Sequence, residues 1–307
     1  MSIPSLTKDD HIAIVVLGSN YPEDIVNEIL ATIKNNCGMS VHSHESLYKW
    51  YSPQAKAEIL LDYLRNDDIK LIWSLRGGEG CADLLPYLEK HSSEISKLKP
   101  KILLGFSDCT PLLLYLSQKF NWPCIHGAVA SQIRSGMLSE CSLQATIKLL
   151  SGSGDTLLLT ELEPLNSAAK QDATIATELT GGNLSLLTLN HGDSWQVDCR
   201  NKIIFIEDWH ERGYKVERAL KYFRRLGWFK DANALILGDF LAGPLSTNEV
   251  EQEEQVAYMH HVLQRFAGGL DIPVLQSQQF GHGYVNMPLP LGVKVALDLN
   301  SLTLSLI

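Results

Sequence analysis

The sequence predicts an α/β protein with a parallel β-sheet that is covered by helices on both faces. Three continuous apolar runs, residues 11–17, 69–75 and 102–106, have the length and composition of buried strands. Segments with apolar residues at helical spacing alternate with these runs, which is typical of a parallel sheet. Each run ends in a short loop rich in glycine or serine. Ligands collect at the carboxyl ends of such strands, so we expect a site there.

Helix-start signals place the elements between these strands. Ser52 followed by Pro53 begins a helix that continues to about residue 65, and Thr110 with Pro111 predicts an N-cap and the first helical position. The other elements predicted in this half are helices at 22–35, 82–89 and 139–150, a strand at 39–42 and a short segment at 123–125.

The second half begins after a polar, loosely patterned passage at residues 155–175, which follows Gly152-Ser153-Gly154. We therefore predict two domains, residues 1–165 and residues 166–307. The elements predicted beyond the boundary are strands at 202–206, 234–237 and 273–275, helices at 214–226 and 248–266, and a hairpin of strands 293–297 and 302–307.

The composition excludes several classes of function. The formal net charge is -9 without a basic cluster, so nucleic acid is not an expected partner. The chain shows neither a leader-like start nor an apolar run near the roughly 20 residues of a membrane span, so we expect a cytoplasmic protein. The six cysteines are scattered without a CxxC pair and no HxxxH occurs, so we predict no disulfide, metal or cofactor.

Ser107 is the candidate nucleophile, because it lies in a tight turn between a buried strand and a helix. Such a turn exposes a side chain beside backbone N–H groups that no helical turn has used. A nucleophilic serine needs this exposure and donors for a developing oxyanion. The string Gly105-Phe106-Ser107 is similar to a nucleophile elbow without its second glycine. Taken alone, this signal favours the simpler interpretation that Ser107 and Asp108 only begin the helix, because these residue types prefer helix caps.

A glycine cluster, Arg76-Gly77-Gly78-Glu79-Gly80, follows the preceding strand. Glycines there permit close backbone approach to a ligand, although a tight strand-to-helix turn would need them as well. The cluster is neither a Walker loop nor a GxGxxG motif, so it does not predict nucleotide binding.

Two further residues complete a candidate proton-transfer set. His282 lies between glycines in a loop after a strand, and Glu207 ends a buried strand. A histidine base oriented by a carboxylate would activate a serine. Asp208 and Glu211 are rival acids. His282 could instead be structural, and Glu207 could be a solvated strand end.

Taken together, these residues resemble the L,D-carboxypeptidase family of serine peptidases, which includes muramoyl-tetrapeptide carboxypeptidases and microcin C self-immunity hydrolases. The resemblance covers nearly the whole chain and is carried by the strings RGGEG, LLGFSDCT, TGGNLSLL, IEDWHE, LGDF and FGHG.

The resemblance implies a flavodoxin-like N-terminal domain, a smaller mixed α/β C-terminal domain, a site between them and a homodimer. It implies a catalytic triad of Ser107, Glu207 and His282, with oxyanion donors at Gly78 and Asp108. The implied reaction is release of the terminal D-alanine from a murein tetrapeptide during peptidoglycan recycling.

Arg76 is the basic residue nearest the proposed site, so we nominate it to bind the free carboxylate of the substrate, although it could instead pair with a neighbouring acid. Glu79 stands where family members commonly have an aromatic residue, which could change the preferred charge of the substrate. The segment between Pro164 and Thr180 is short, without the insertion of microcin-type relatives, and this favours a peptidoglycan substrate. The alternatives are a peptidyl-nucleotide amide hydrolase and a non-catalytic binding protein.

Overall fold

Strands and helices alternate along the chain in the structure, a computed structural model that describes residues 3–134, 136–152, 157–241 and 248–307. The chain divides into two units, Met1–Gly154 with Pro288–Gly292 and Asp155–Met287 with Val293–Ile307. Residues 153–156, at the start of the passage where we predicted a domain boundary, lie outside the described residues. The α/β fold class is confirmed.

Elements of the first half are named in chain order. The strands are β1 His11–Val15, β2 Ser40–His42, β3 Ile69–Ser74, β4 Ile102–Gly105 and β5 Cys124–His126. The helices are α1 Glu23–Cys37, α2 Pro53–Arg65, α3 Leu85–Lys90, α4 Ser92–Ile95, α5 Thr110–Phe120 and α6 Glu140–Ser151.

Elements of the second half continue the same numbering. The strands are β6 Leu157–Leu159, β7 Glu163–Pro164, β8 Thr174–Asn183, β9 Lys202–Glu207, β10 Ala234–Leu237, β11 Val274–Gln276, β12 Leu289–Leu291, β13 Lys294–Asp298 and β14 Thr303–Leu306. The helices are α7 Leu184–Leu189, α8 Gly213–Arg225 and α9 Glu249–Ala267. None of the helices within the described ranges is long and apolar enough to cross a membrane.

The first unit is organised around a sheet with the strand order β12-β5-β4-β3-β1-β2 among the described residues. Strands β1 to β5 pair in parallel, and β12 adds to β5 in the antiparallel direction. The parallel strands follow the order 2-1-3-4-5, which is the flavodoxin-like order that we expected. Because this order reverses between β1 and β3, the loops after those strands lie where doubly wound sheets bind ligands.

The helices of this unit follow the predicted apolar spacing. Helix α2 buries Ala57, Leu60, Leu61 and Leu64, one stripe of a 3.6-residue period. The Ser52 side chain accepts the Ala55 N–H at 3.3 Å as the N-cap of α2, so the helix start predicted at Ser52-Pro53 is confirmed.

Two predicted helix starts are wrong. Thr110 does not cap α5: a 3₁₀ turn over Ser107–Cys109 leads directly into the helix, and Thr110 is its first residue. The helix predicted from residue 82 begins as a 3₁₀ turn over Cys81–Leu84, and α3 starts at Leu85, next to Pro86. Proline favours the first helical positions because it lacks the N–H that would be unsatisfied there.

The second unit contains a mixed sheet, with the order β6-β14-β13-β8-β9-β10-β11-β7 among the described residues. Strands β8 to β11 pair in parallel, and the outer pairs are antiparallel. Gly181 has a positive φ of 146°, and a Cβ there would collide with the carbonyl oxygen of Phe205 on β9. The TGG string is therefore required by the close pairing of β8 with β9.

Candidate active site

Ser107 occupies a strained turn at the carboxyl end of β4. Its φ is 59°, in the left-handed region that residues other than glycine rarely adopt. The 3₁₀ turn that begins at Ser107 connects the strand to α5. Strain of this kind persists only where the surrounding structure enforces it, and it is found at functional sites. The turn thus fixes the direction of the half-buried Ser107 side chain.

The glycine cluster brings the loop after β3 against this serine. A Cβ on Gly77 would lie 3.1 Å from the Ser107 Cβ and 3.2 Å from its Oγ. Gly78 has a φ of 109°, and a Cβ there would lie 2.8 Å from the Ser19 Cβ. Only glycine allows these approaches without displacing a neighbour. Backbone at this distance from a nucleophile is where oxyanion donors must lie.

The Asp108 side chain, in the residue after Ser107, joins three loops. Its carboxylate is 4% exposed and accepts the backbone N–H of Cys81 at 3.0 Å. It also lies so close to Gly18, in the loop after β1, that a Cβ there would collide with its Oδ2. Lys56 donates to the Gly18 carbonyl at 2.6 Å. Burial raises the pKa of Asp108 above its ordinary value.

Arg76 is held by an aromatic ring. Its guanidinium carbon lies 4.3 Å from the centroid of the Tyr21 ring, within cation–π distance. Among the described residues, no carboxylate lies within ion-pair distance of Arg76, so the structural pairing that we considered is not found there. The guanidinium is therefore oriented without its charge being neutralised by a carboxylate.

In the second unit, Glu207 and His282 form a direct hydrogen bond. Glu207 is the last residue of β9 and is fully buried. His282 Nδ1 lies 2.7 Å from Glu207 Oε2, so the imidazole donates to the carboxylate. The rival acids have other partners: Asp208 accepts the Ser185 hydroxyl at 2.8 Å, and Glu211 pairs with Lys215 at 3.2 Å.

Nearby carboxylates control the titration of His282. Burial of the ring lowers its pKa, but the charge and hydrogen bond of Glu207, with the charges of Asp208 and Asp239, outweigh burial and raise the pKa above 6.5. Asn183, paired directly across from Glu207 in the sheet, donates to Asp208 at 2.8 Å and to Glu207 at 3.4 Å. The buried acids are thus held by neutral donors.

Local packing also fixes the ring orientation of His282. Gly281 has a φ of 120°, and a Cβ there would lie 3.3 Å from both Glu207 Oε2 and the Asp239 carbonyl. The Trp209 ring stacks on the imidazole with centroids 6.1 Å apart and an interplanar angle of 26°. Trp209 is 60% exposed, so it forms the solvent side of this pair.

The predicted site residues form one cluster in each unit. Ser107, Asp108 and the loop at Gly78 converge in the first, with Arg76 opening the same loop. Glu207 and His282 meet in the second. Sequence reasoning missed the Asp108 carboxylate and the Trp209 stack, which depend on tertiary contacts. No group of three potential metal-ligating side chains occurs in the described part of the chain.

Comparison with known proteins identifies both halves of the chain. The family model for the LD-carboxypeptidase N-terminal domain matches residues 12–127, and that for the C-terminal domain matches residues 176–297. A putative carboxypeptidase of Rickettsia conorii is 31% identical over 86% of this chain and 81% of its own length. The murein tetrapeptide carboxypeptidase of Pseudomonas aeruginosa is 26% identical over 96% of this chain and 95% of its own.

Relatives with a different named role are similar too. The microcin C7 self-immunity protein of Escherichia coli is 26% identical over 84% of this chain and 80% of its own. Among solved structures, an MccF-like protein from Bacillus anthracis superposes with a TM-score of 0.85 at 16% identity, covering 100% of this chain and 99% of its own. The muramoyltetrapeptide carboxypeptidase of Oxalobacter formigenes gives 0.77 at 24% identity, covering 96% and 97%. These structural similarities establish the fold alone.

Proposed function

The chain belongs to the LD-carboxypeptidase family, peptidase family S66, and we propose that it is a serine carboxypeptidase that removes the terminal D-alanine from murein tetrapeptides. Its place would be in peptidoglycan recycling. The peptide substrate is proposed from the named activity of the Pseudomonas aeruginosa relative, which matches along nearly its whole length.

In the proposed first step, Ser107 Oγ attacks the carbonyl carbon of the amide that joins an L-configured centre to D-alanine. His282 Nε2 takes the hydroxyl proton, and Glu207 stabilises the imidazolium through Nδ1–H. The negative charge on the carbonyl oxygen would be stabilised by the backbone N–H groups of Gly78 and Asp108. Each such donor contributes about 3 to 4 kcal/mol to the transition state.

The remaining steps release both products. The imidazolium gives its proton to the leaving amine of D-alanine as the amide bond breaks, which leaves an acyl-enzyme on Ser107. Water, deprotonated by the same imidazole, then attacks the ester and frees the shortened peptide and the serine hydroxyl. Arg76 would bind the terminal carboxylate of the substrate; its lack of a carboxylate partner in the described residues supports this role.

The observation that carries the proposal is the 2.7 Å hydrogen bond between His282 and the fully buried Glu207. A buried carboxylate has no water to solvate it and needs a hydrogen-bonded partner, and an imidazole so oriented is suited to general-base catalysis. The strained geometry of Ser107 and the close approach of Gly77 support a nucleophile in the other unit.

The test is D-alanine release from a purified murein tetrapeptide. Ser107→Ala should lower kcat by on the order of 10⁴-fold or more, because no other group would form the acyl-enzyme. Ser96→Ala is the matched control, since that hydroxyl is exposed and donates to the Ser93 carbonyl, away from the candidate site. Normal turnover by the Ser107→Ala protein would rule out this nucleophile.

The similarity to the microcin C7 self-immunity protein keeps a second candidate function, hydrolysis of a peptidyl-nucleotide amide. A panel of murein tetrapeptide against acyl-sulfamoyl adenylates separates the two, since the favoured substrate should have the larger kcat/KM. Labelling by a serine-directed fluorophosphonate would disfavour a non-catalytic binding protein. The homodimer expected from the family stays a prediction, which sedimentation of the purified protein tests.

A further inference from the structure

A cavity of about 550 Å³ lies in the second unit, at the carboxyl ends of β10 and β11. Its walls are formed by residues that follow β10, by the end of β11, by the β7 edge and by one face of α9. The volume is within the range of small-molecule sites, and the carboxyl end of parallel strands is where α/β sheets bind ligands. The proposed mechanism does not use this cavity.

The lining of the cavity combines carboxylates with apolar side chains. Its described residues include the carboxylates of Glu163, Asp239 and Glu253 and the imidazole of His260, and among them are neither lysine nor arginine. Glu163 and Glu253 have no cationic partner among the described residues. The apolar walls come from α9 and the start of the loop after β10, and include Phe240, Val256, Met259 and Leu263.

An amide oxygen in the wall also lacks a hydrogen-bond donor. Gln276, the last residue of β11, lines the cavity, and its Oε1 is buried without a hydrogen-bond partner in the described part of the chain. A buried polar atom left unpaired costs free energy, which a ligand that donates a hydrogen bond would recover. Together with the carboxylates of Glu163 and Glu253, this oxygen fits a donor that carries positive charge.

The cavity shares a wall with the loop that carries His282. The Asp239 N–H donates to the Phe280 carbonyl at 3.3 Å, and a Cβ on Gly283 would lie 3.2 Å from Asp239 Oδ2. The Asp239 carbonyl in turn accepts the N–H of Asp208, the residue after Glu207, at 3.1 Å. A substrate whose reacting carbonyl is close to His282 could therefore extend a side chain into this space.

We propose that this cavity binds the side chain of the residue on the acyl side of the cleaved bond, and that it selects an amine at the end of an alkyl chain. The alkyl part would pack against Phe240 and Met259, and the ammonium group would face Glu163 and Glu253 and donate to Gln276 Oε1. In a murein tetrapeptide this is the third residue, so the assignment rests on the proposed function.

The experiment compares two tetrapeptides that differ only in the charge of the third side chain, lysine against norleucine. The wild-type protein should cleave the lysine peptide with a kcat/KM about tenfold higher, as expected for a partly solvated ion pair with hydrogen bonds. Joint substitution of Glu163→Gln and Glu253→Gln should bring the ratio close to one. Glu254→Gln is the matched control: it removes the same charge from the neighbouring position of α9, outside the cavity lining, and should preserve the ratio.

Each outcome decides the proposal. A ratio near one in the wild-type protein, or a preference that survives the double substitution or is lost in Glu254→Gln, would overturn it while D-alanine release still upholds the proposed function. If neither peptide is cleaved, the proposed function fails, and calorimetric binding of the same two peptides decides the cavity separately. Tighter binding of the lysine peptide that depends on Glu163 and Glu253 would support the cavity, and equal binding would overturn it.

Discussion

Three carboxylates act on the largely buried imidazole of His282. Glu207 bonds to it directly, while Asp208 and Asp239 act on it through their charge alone. These carboxylates raise the pKa of His282 against the opposing effect of burial. In the proposed mechanism His282 is the general base and must be neutral, so we expect activity to be lost as the pH falls through this raised pKa.

Glu207→Gln should change both the rate and its pH dependence. Removing the negative charge lowers the pKa of His282, so the acidic limb of the kcat/KM profile should move to lower pH. The amide no longer stabilises the imidazolium, and the plateau rate should fall by on the order of 10³- to 10⁴-fold. Measurement of D-alanine release across the pH range records both effects.

Asp239→Asn separates charge from hydrogen bonding. It removes a charge that raises the pKa of His282 but leaves the Glu207 hydrogen bond in place. The acidic limb should move in the same direction by a smaller amount, with the plateau rate within about tenfold of the wild type. An unchanged acidic limb in both variants would mean that His282 is not the titrating base.

For individual residues, the sequence indicates the candidate site positions more readily than it indicates which side chains bond to each other. Ser107, Glu207 and His282 could be singled out because each lies at the end of a predicted strand or in the loop that follows one, which is visible in the order of residues. The choice of Glu207 over Asp208 as the partner of His282 depends on which carboxylate the pleat turns toward the imidazole. That depends on the register of β9 in its sheet, which no local pattern specifies.

At the level of elements, the turn at Ser107 is held by a loop junction that centres on one carboxylate. Asp108 accepts the Cys81 N–H and packs against Gly18, so loops that follow β1, β3 and β4 are fixed together. The proposed oxyanion donors belong to two of these loops. Their alignment depends on the same junction.

Asp108→Ala and Asp108→Asn should therefore differ. Alanine leaves the buried Cys81 N–H without an acceptor, and we expect a loss of about 1 to 3 kcal/mol in unfolding free energy. Displaced oxyanion donors should also lower kcat by at least about tenfold. Asparagine keeps a side-chain oxygen and avoids the buried charge, so it should retain most of the stability and rate. Denaturant unfolding and D-alanine release measure both, and equal behaviour of the two variants would contradict the junction's role.

Helix starts show where local signals suffice. Ser52 caps α2 as predicted, because its hydroxyl and the following proline act within one turn. Thr110 carries the same residue signal but does not cap α5, because the chain already turns at Ser107. The strained φ of Ser107 is imposed by the packing of the turn, so propensity alone could not predict the earlier start.

Across the whole molecule, the path of the chain is less predictable than its elements. Strand β12 returns from the C-terminal part to pair with β5 in the first sheet. Its three residues, Leu289-Pro290-Leu291, are too short for a periodic signal and contain a proline, which sequence rules assign to edges or loops. The strands β6 and β7, of three and two residues within the polar passage, are equally short and were also missed. Strand β8 was not predicted either, although it has ten residues.

Because β12 pairs with β5, a cavity created in β12 should destabilise β5 in the first sheet. Leu291→Ala, at a 1% exposed position, should cost about 2 to 5 kcal/mol and reduce amide protection in β5, its partner strand. Leu297→Ala is the matched control: it lies six residues further on, is fully buried in β13, and should reduce protection in β8 and β14 instead. Hydrogen exchange followed by mass spectrometry resolves these strands. Loss of protection in β8 and β14 for both variants would show that residue 291 stabilises the second sheet, against the pairing of β12 with β5.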